Sequence, residues 1–368
     1  MSFLAKNLII QRALNPPPLP SLEGVPFGTI FTPHMLVVDT ETNESWGKPR
    51  IVPFENLSLP PQTACLHYAI QCFEGMKAYR DKEDNVRLFR PELNCQRLLN
   101  STRRLCLPDF DPDELLHLIQ RFVDLERDYV PRGRGYSLYL RPTVIGTSTT
   151  LSASASTAAK LFVIASPVGP YYGPVMKPVR LYVEERRHRA WPGGIGNVKL
   201  GANYAGPMLV QMEAGAKGFH QVLWLGAAED VQEVGAMNFL CLWRPSADSK
   251  EIELITAPLD GTILPGVTRN SILSLVSEWG GIRVSERSFT IHELVAALRE
   301  RRVLECFGCG TAAIVSPVEA LSYEGELLEV PCPEPENSLT HRVLKTLTDI
   351  QYGDVKHEWS RVVEVSTC

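Results

Sequence analysis

A glycine-rich segment that contains a single lysine has the clearest chemical potential in this sequence. Residues 193–204 read GGIGNVKLGANY and place four glycines around Lys199. Because glycine has no Cβ, such a segment allows the backbone to approach a ligand closely. A lysine amine held there can act as a nucleophile toward a carbonyl group. Taken alone, the segment is equally well explained as a loop with a solvated lysine. A phosphate-binding P-loop is a poorer match, since it requires Ser or Thr where Leu200 stands.

A second candidate is Glu233, in the string QEVGAMN near the end of a predicted strand. A buried carboxylate at that position needs a cationic partner. The protonated ring nitrogen of a heteroaromatic cofactor would be one. The alternative is an ordinary surface glutamate at the edge of a strand.

Several positions could bind an anion such as a phosphate group. Arg97 lies inside an amphipathic helix predicted over residues 91–105, and Val267 and Thr268 begin another predicted helix. Helix N-termini donate backbone N–H groups to anions. Thr311 ends a second glycine-rich turn, predicted at residues 308–311. Each position is also explained by ordinary helix or turn structure.

Tyr139 and Arg141, in the string LYLRP, are predicted to lie on one face of a strand because side chains alternate along it. An arginine can bind a carboxylate through a two-pronged contact. The residues that flank Arg141 are strongly apolar, so this arginine requires an anionic partner.

The elements that would position these residues belong to a chain long enough for about two domains. The segment 147–159 is rich in Ser, Thr and Ala and carries no charge, which is typical of a connecting loop. We therefore predict a small N-terminal domain over 1–146, an interdomain loop over 147–159 and a larger C-terminal domain over 160–368. Strands and helices mix without strict alternation, which favours an α+β fold with two mixed domains.

Composition excludes several classes of function. The net charge is −5, so the chain lacks the basic surface expected of a protein that binds nucleic acid. No apolar run is long enough to span a membrane, and no metal-binding motif is present. The nine cysteines are scattered, which favours a reducing compartment. Cys306 and Cys309 have CxxC spacing, but a structural role is the better interpretation because zinc would need a second pair of ligands.

These segments, in this order, resemble the branched-chain amino acid aminotransferases, which are class IV enzymes of fold type IV that use pyridoxal 5'-phosphate (PLP). The resemblance runs from about Phe27 to Val318. The matching strings are FGTIFTPHML, CFEGMKAYR, LFRPELNCQRLL, LYLRPTVIGT, SPVGPYY, RAWPGGIGNVKLGANY, QVLWL, EVGAMN, DGTILPGVTR and FGCGTAAIVSPV. Many long strings in the same order are far more specific than any single motif.

The resemblance implies a role for each matching residue. Lys199 would hold PLP as a Schiff base and transfer the proton, Tyr204 would contact the phenolic oxygen of the cofactor, and Glu233 would pair with its pyridine nitrogen. The other implied cofactor contacts are Arg97, Leu264, Val267, Thr268 and Thr311. The implied substrate contacts are Phe27, Tyr68, Phe73, Tyr139, Arg141, Tyr171, Ala236 and Ala312. Of these, Tyr68 would come from a second subunit and Arg141 would bind the side-chain carboxylate of glutamate or 2-oxoglutarate.

The resemblance also implies ping-pong transamination of Leu, Ile and Val with 2-oxoglutarate by a homodimer. We expect a cytoplasmic location, because the N-terminus lacks the Ser and Arg enrichment of a mitochondrial transit peptide. Ala236 departs from the family, which usually has Thr there. Two alternatives remain: a specialised biosynthetic aminotransferase that acts on an unusual 2-oxo acid, and a non-catalytic PLP-binding homologue.

Overall fold

The computed structural model describes residues 2–40, 45–170 and 176–365. The chain forms two compact units. The first unit comprises Met1–Tyr171, Val198–Ala202 and Thr348–Cys368, and the second comprises Tyr172–Asn197 and Asn203–Leu347. The short segment that carries Lys199 therefore belongs to the first unit, although it is separated from the rest of that unit along the chain.

The strands are β1 Ile9–Ile10, β2 His34–Asp39, β3 Arg50–Pro53, β4 Gln71–Phe73, β5 Met76–Arg80, β6 Val86–Phe89, β7 Ser137–Gly146, β8 Ala159–Val168, β9 Val179–Glu184, β10 Gln221–Leu225, β11 Val231–Val234, β12 Met237–Trp243, β13 Glu253–Thr256, β14 Arg283–Glu286, β15 Val303–Gly310, β16 Ile314–Tyr323, β17 Glu326–Glu329 and β18 Ser360–Val362. The helices are α1 Ala64–Tyr68, α2 Pro91–Arg104, α3 Pro112–Leu125, α4 Ala202–Ala205, α5 Met208–Ala216, α6 Val267–Trp279, α7 Ile291–Arg299 and α8 Leu339–Gln351. Such a mixture of helices and mixed sheets confirms the predicted α+β class. In the described part of the chain, no helix is long and apolar enough to cross a membrane.

The sheet of the first unit has the strand order β1-β3-β2-β8-β7-β5-β6-β18, with β4 paired to β7. Strands β7 and β8 form a long antiparallel hairpin from Ser137 opposite Val168 to Gly146 opposite Ala159. Helices α2 and α3 bury apolar faces that include Leu98, Leu99, Leu115, Ile119 and Phe122. Pro at the first turn of both helices fits the rule that this position needs no backbone N–H.

The division of the chain differs from the predicted boundaries 1–146, 147–159 and 160–368. Residues 147–158 connect the two strands of the β7–β8 hairpin and Ala159 begins β8, so the whole segment lies within the first unit. The composition of this segment correctly indicates a loop, but composition cannot show which strands pair on either side of it. The C-terminal residues 348–368 also return to the first unit, because β18 pairs with β6.

The sheet of the second unit closes on itself. Its strand order is β11-β10-β9-β16-β15-β12-β13-β14, and β11 also pairs with β12. Strands β11, β10, β9, β16, β15 and β12 therefore form a ring, and β17 adds to β16. The core of this unit is apolar and includes the buried side chains of Leu223, Phe239, Phe289, Leu294 and Leu321. Close packing of this kind fixes the strand ends that carry the predicted cofactor contacts.

Candidate active site

The backbone of Lys199 is fixed on two sides within the first unit. Its carbonyl oxygen accepts a hydrogen bond from the backbone N–H of Phe73, at 3.0 Å. Its own N–H donates to Oγ of Ser101 on α2, at 2.9 Å. The next residue, Leu200, forms a bridge with Cys72 of β4. The lysine therefore stands on an ordered segment alongside β4 and is only partly exposed, which differs from a solvated loop.

Several predicted substrate contacts surround this lysine in the first unit. The Nζ atom of Lys199 lies 5.1 Å from the ring centroid of Phe73, and the guanidinium carbon of Arg141 lies 4.5 Å from the same centroid. Nη2 of Arg141 donates to the hydroxyl of Tyr139 at 3.1 Å. The rings of Tyr139 and Phe27 meet edge to face at 5.0 Å. The structure thus brings one amine, one guanidinium and three aromatic rings together.

Arg97 is held by Glu74, a residue that the sequence patterns do not single out. Nε and Nη2 of Arg97 donate to the two carboxylate oxygens of Glu74 at 2.6 and 2.9 Å. Nδ2 of Asn94 and the N–H of Gly75 also donate to Glu74, at 2.9 and 3.0 Å. Complete burial would raise the pKa of Glu74, but the charge and hydrogen bonds of Arg97, followed by the charge of Lys199, hold that pKa below its usual range. Glu74 is therefore a buried carboxylate that remains ionised.

Two other predicted substrate contacts, Tyr68 and Tyr171, are not among the residues that surround Lys199 in the description above. Tyr68 ends α1, is 40% exposed and donates its hydroxyl to the carbonyl oxygen of Leu151. Its approach to the site of a second subunit stays a prediction. Tyr171 lies outside the described residues.

Glu233 lies in the second unit, on β11, and is 4% exposed. Its Oε1 accepts hydrogen bonds from the N–H of Leu264 and from Nδ2 of Asn238, both at 3.0 Å. Its Oε2 lies 2.9 Å from Nη2 of Arg189, which also donates to the carbonyl oxygen of Thr262 at 2.7 Å. Sequence patterns also missed Arg189. Only the fold shows that this cation lies next to a buried glutamate.

Helix α6 begins at Val267, so Val267 and Thr268 occupy its first turn as predicted. The N–H groups of a first helical turn have no carbonyl partner within the helix and can bind an anion. Gly266 precedes this turn, and a Cβ at that position would collide with Oδ1 of Asn238. Glycine is therefore required at Gly266 for α6 to start beside Asn238 and Glu233.

The predicted glycine-rich turn at 308–311 is a strand end instead. Gly308 and Gly310 belong to β15, and a Cβ on Gly308 would lie 2.9 Å from Cε of Met237. The same Cβ would lie 2.8 Å from Cγ1 of Val234 on β11, so side chains of two strands crowd this position and favour glycine. Thr311 and Ala312 form the turn that follows, between β15 and β16.

Ala236 lies at the exposed tip of the tight turn between β11 and β12, after Gly235, which has a positive φ of 57°.

Tyr204 is half-buried on α4. Its neighbour Asn203 donates from Nδ2 to the carbonyl oxygen of Ile195, at 2.7 Å, and so orders the glycine-rich segment. In that segment a Cβ on Gly196 would collide with the backbone of Thr262, which explains one of the glycines.

Cys306 and Cys309 both lie on β15 and are buried. Three residues along a strand place their Cα atoms about 10 Å apart, with side chains on opposite faces, so they cannot form a disulfide. No group of three His, Cys, Asp or Glu residues suited to a metal ion occurs in the described ranges. The geometry therefore supports the structural interpretation of this pair.

The described side chains fit PLP in their chemistry. The cofactor carries an aldehyde, a phosphate and a pyridine nitrogen. The first unit offers the amine of Lys199 and the buried guanidinium of Arg97. The second unit offers the buried carboxylate of Glu233 and the first turn of α6. Each functional group of PLP thus has a complementary group in this chain.

Comparison with known proteins identifies the family. The family described as "Amino-transferase class IV" matches residues 71–321. A branched-chain-amino-acid aminotransferase of Dictyostelium discoideum is 50% identical, over 92% of this chain and 89% of its own length. In Rattus norvegicus, the cytosolic enzyme of that name is 47% identical over 98% of this chain and 87% of its own, and the mitochondrial enzyme is 48% identical over 97% and 91%.

Solved structures agree with this result. The crystal structure of a branched-chain aminotransferase from the archaeon Thermoproteus uzoniensis, with norvaline, has a TM-score of 0.69 and 25% sequence identity, and the match covers 90% of this chain and 100% of that one. The enzyme of Thermobaculum terrenum in its PLP form has a TM-score of 0.71 at 20% identity over 90% of this chain and 98% of that one, which shows the shared fold. The chain therefore belongs to the class IV aminotransferase family, on the branch of the branched-chain-amino-acid aminotransferases.

Proposed function

We propose that this protein transfers the amino group of leucine, isoleucine and valine to 2-oxoglutarate, with PLP bound at Lys199. The observation that carries the proposal is the ordered lysine beside Phe73 and Arg141, in a chain that is 50% identical to a branched-chain-amino-acid aminotransferase. Relatives of that name at 47–48% identity point to the same substrates.

Bound PLP supplies an electron sink that makes the Cα proton of an amino acid acidic. Lys199 holds the cofactor and moves this proton, since its amine is the nucleophile and base of the site. Glu233 pairs with the pyridine nitrogen, and Tyr204 contacts the phenolic oxygen. The remaining cofactor contacts in the proposal are Arg97, Leu264, Val267, Thr268 and Thr311.

Substrate selection rests on one pocket that accepts two kinds of side chain. The rings of Phe27, Phe73 and Tyr139 offer apolar walls to a branched side chain. Arg141 offers a guanidinium to the side-chain carboxylate of glutamate in the other half-reaction. The other substrate contacts in the proposal are Tyr68, Tyr171, Ala236 and Ala312.

The finer biological setting is also part of the proposal. Tyr68 is exposed at the end of α1, which suits a contact with a second copy of the chain in a homodimer. Relatives include cytosolic and mitochondrial enzymes. We propose a cytoplasmic location, as for the relatives that are cytosolic.

A specialised aminotransferase that acts on an unusual 2-oxo acid is the second candidate. Ala236 favours it, because this residue stands at the tip of the β11–β12 turn without the hydroxyl that the family usually has there. A lost hydrogen bond of this kind costs about 0.5–1.5 kcal/mol of binding free energy. A panel of amino donors and 2-oxo acids, compared by kcat/KM, separates the two candidates.

The decisive experiment is an absorbance spectrum of the purified protein with PLP, recorded before and after L-leucine is added. Lys199→Ala is compared with the wild type, and Lys217→Ala, which removes an amine that stacks on Tyr182, serves as the matched control. We expect leucine to convert the cofactor band in the wild type and the control but not in Lys199→Ala. A wild-type band that responds to no amino donor would indicate the non-catalytic homologue. Absence of any PLP-dependent band would overturn the proposal.

A further inference from the structure

Glu74 has an unusual position for a residue to which the proposed reaction assigns no task. Its side chain is completely buried, and it follows directly on β4, whose last residue is Phe73. The N–H of Phe73 donates to the carbonyl oxygen of Lys199, and the N–H of Glu74 donates to that of Pro142 on β7, at 2.7 Å. The backbone around Glu74 is thus tied both to the lysine segment and to the central hairpin of the sheet.

Helix α2 presents three buried polar residues to this region. Asn94, Arg97 and Ser101 lie at positions i, i+3 and i+7, which places them on one face of the helix. The first two donate to the carboxylate of Glu74, and Ser101 accepts from the backbone N–H of Lys199. One helical face therefore positions both the carboxylate and the lysine.

We propose that Glu74 is a positioning residue that acts on Arg97 and Lys199 together. Its ionised carboxylate holds the guanidinium of Arg97 in one orientation for the phosphate group of PLP, and it stabilises positive charge at the nitrogen of Lys199. The inference rests on the proposed function, since it concerns the same cofactor.

The charges around Glu74 support this role. The two carboxylate–guanidinium contacts form a planar fork, which fixes the orientation of an arginine more strictly than a single contact does. Two thiols near Glu74 stay neutral: burial, with Glu74 as a further cause, raises the pKa of Cys72 to about 12 and raises that of Cys95 as well. Arg97 and Lys199 are the cations whose charges lower the pKa of this carboxylate, and Arg141, which faces the Phe73 ring as Lys199 does, is a further cation near that amine.

The chain contains a matched control for this arrangement. Asp81 in the same unit is also completely buried, accepts from Nε of Arg87 at 2.6 Å and accepts from Nδ2 of Asn85 at 3.1 Å. An arginine and an asparagine thus hold Asp81 as well, although Arg87 does so through one contact and not through a fork. Asp81→Asn should reproduce the loss of stability that follows from neutralising such a carboxylate, without affecting the cofactor.

The test compares Glu74→Gln, Glu74→Asp and Asp81→Asn with the wild type as PLP-loaded proteins. Two quantities are measured: the dissociation constant for PLP, and the pH midpoint at which the visible absorbance of the bound cofactor changes. We expect Glu74→Gln to weaken PLP binding about tenfold or more and to lower the midpoint by about one pH unit, because a stabilising negative charge is lost. Glu74→Asp should keep the midpoint, since the charge remains, and Asp81→Asn should change neither quantity.

A Glu74→Gln protein with the affinity and midpoint of the wild type would overturn the inference and leave Glu74 with a structural role alone. If Glu74→Gln does not fold, Glu74→Asp carries the test. Its shorter side chain should weaken PLP binding, and unchanged affinity would overturn the inference. Failure of the wild type to bind PLP would refute the proposed function instead, so the two failures are distinguishable.

Discussion

Nη2 of Arg189 lies 2.9 Å from Oε2 of Glu233, and the two side chains are only 7% and 5% exposed. The buried glutamate on β11 thus has a cation of the protein beside it, in addition to the donors from Leu264 and Asn238. Burying a carboxylate is costly unless it is paired and hydrogen-bonded, and this cation offsets part of that cost. Arg189 therefore helps to hold in place the carboxylate that we propose pairs with the pyridine nitrogen.

Replacement of Arg189 by Ala should be strongly destabilising. Breaking a buried ion pair leaves an uncompensated charge and costs about 3–5 kcal/mol of the free energy of unfolding. PLP affinity should fall as well, because Glu233 would lose the contact at Oε2 that helps to hold its carboxylate in place. Urea unfolding and PLP titration measure the two effects. Arg302→Ala is the control, since Arg302 also contacts a carboxylate and backbone carbonyls in the same unit. Equal PLP affinity in both variants would contradict the prediction.

Gly75→Ala should impair recognition of glutamate. A Cβ on Gly75 would collide with the hydroxyl of Tyr139, which accepts a hydrogen bond from Arg141. Displacing these two side chains by about 1 Å should lower kcat/KM for glutamate roughly 10- to 100-fold. Steady-state kinetics with glutamate and leucine measure the change. Gly215→Ala on α5 is the control, because a Cβ there meets nothing within 4 Å. Unchanged kinetics would show that Tyr139 moves without consequence.

Stability should depend on pH through Glu126, which contacts Nδ1 of His34. Burial is the main cause that raises the pKa of Glu126 from 4.5 to about 8. Between these values the folded state binds more protons than the unfolded state, so the free energy of unfolding falls as pH rises, by up to about 1.4 kcal/mol per pH unit. His34 acts in the opposite sense, because burial, followed by the charge of Arg12, lowers its pKa and stability is lost as the pH falls below 6.5.

Glu126→Gln should remove the decline toward alkaline pH while leaving the contribution of His34. Urea unfolding at about pH 6 and about pH 8 measures the difference in the free energy of unfolding. Glu83→Gln, which changes an exposed acid of the same unit, should keep the wild-type decline. An identical decline in Glu126→Gln would mean that another group is responsible.

The reactivity of the cysteine thiols toward maleimide should follow their exposure. Cys106 and Cys332 are exposed, whereas Cys72, Cys306 and Cys309 are buried. Burial raises the pKa of Cys72 and of Cys309 to about 12, so little reactive thiolate is present at neutral pH. Maleimide labelling of the native protein, mapped by mass spectrometry, should therefore modify Cys106 and Cys332 first. Modification of Cys306 in the native state would contradict the structural interpretation of the CxxC pair, and urea-unfolded protein serves as the positive control.

Local patterns predicted the elements that carry the site more accurately than they predicted its connections. The helix expected over 91–105 is α2 over Pro91–Arg104, and the helix start expected at Val267 is the start of α6. Apolar periodicity and proline placement are local signals, so they predict a helix without knowledge of the tertiary contacts. Glu74 was missed because an isolated glutamate in a sequence resembles any surface acid. Its partner Arg97 lies 23 residues away, and only the fold brings the two together.

The resemblance to a family supplied what local physics could not, namely the proposed roles of Lys199 and Glu233. It did not point to Arg189, although that residue begins the matching string RAWPGGIGNVKLGANY. The domain boundary differed for a related reason, since the loop at 147–159 joins two strands of one sheet and pairing is a long-range property.

The return of β18 to the sheet of the first unit has a consequence for how the protein is made. Strand β18 pairs with β6, with Ser360 opposite Phe89 and Val362 opposite Arg87. During synthesis on the ribosome, residues 172–347 emerge before this strand, so the ring of strands in the second unit can close first. The unit that holds Lys199 receives this strand only after residues 172–347 have been translated. A nascent chain can therefore complete the ring of its second unit while β6, in the sheet of the first unit, still lacks its partner β18.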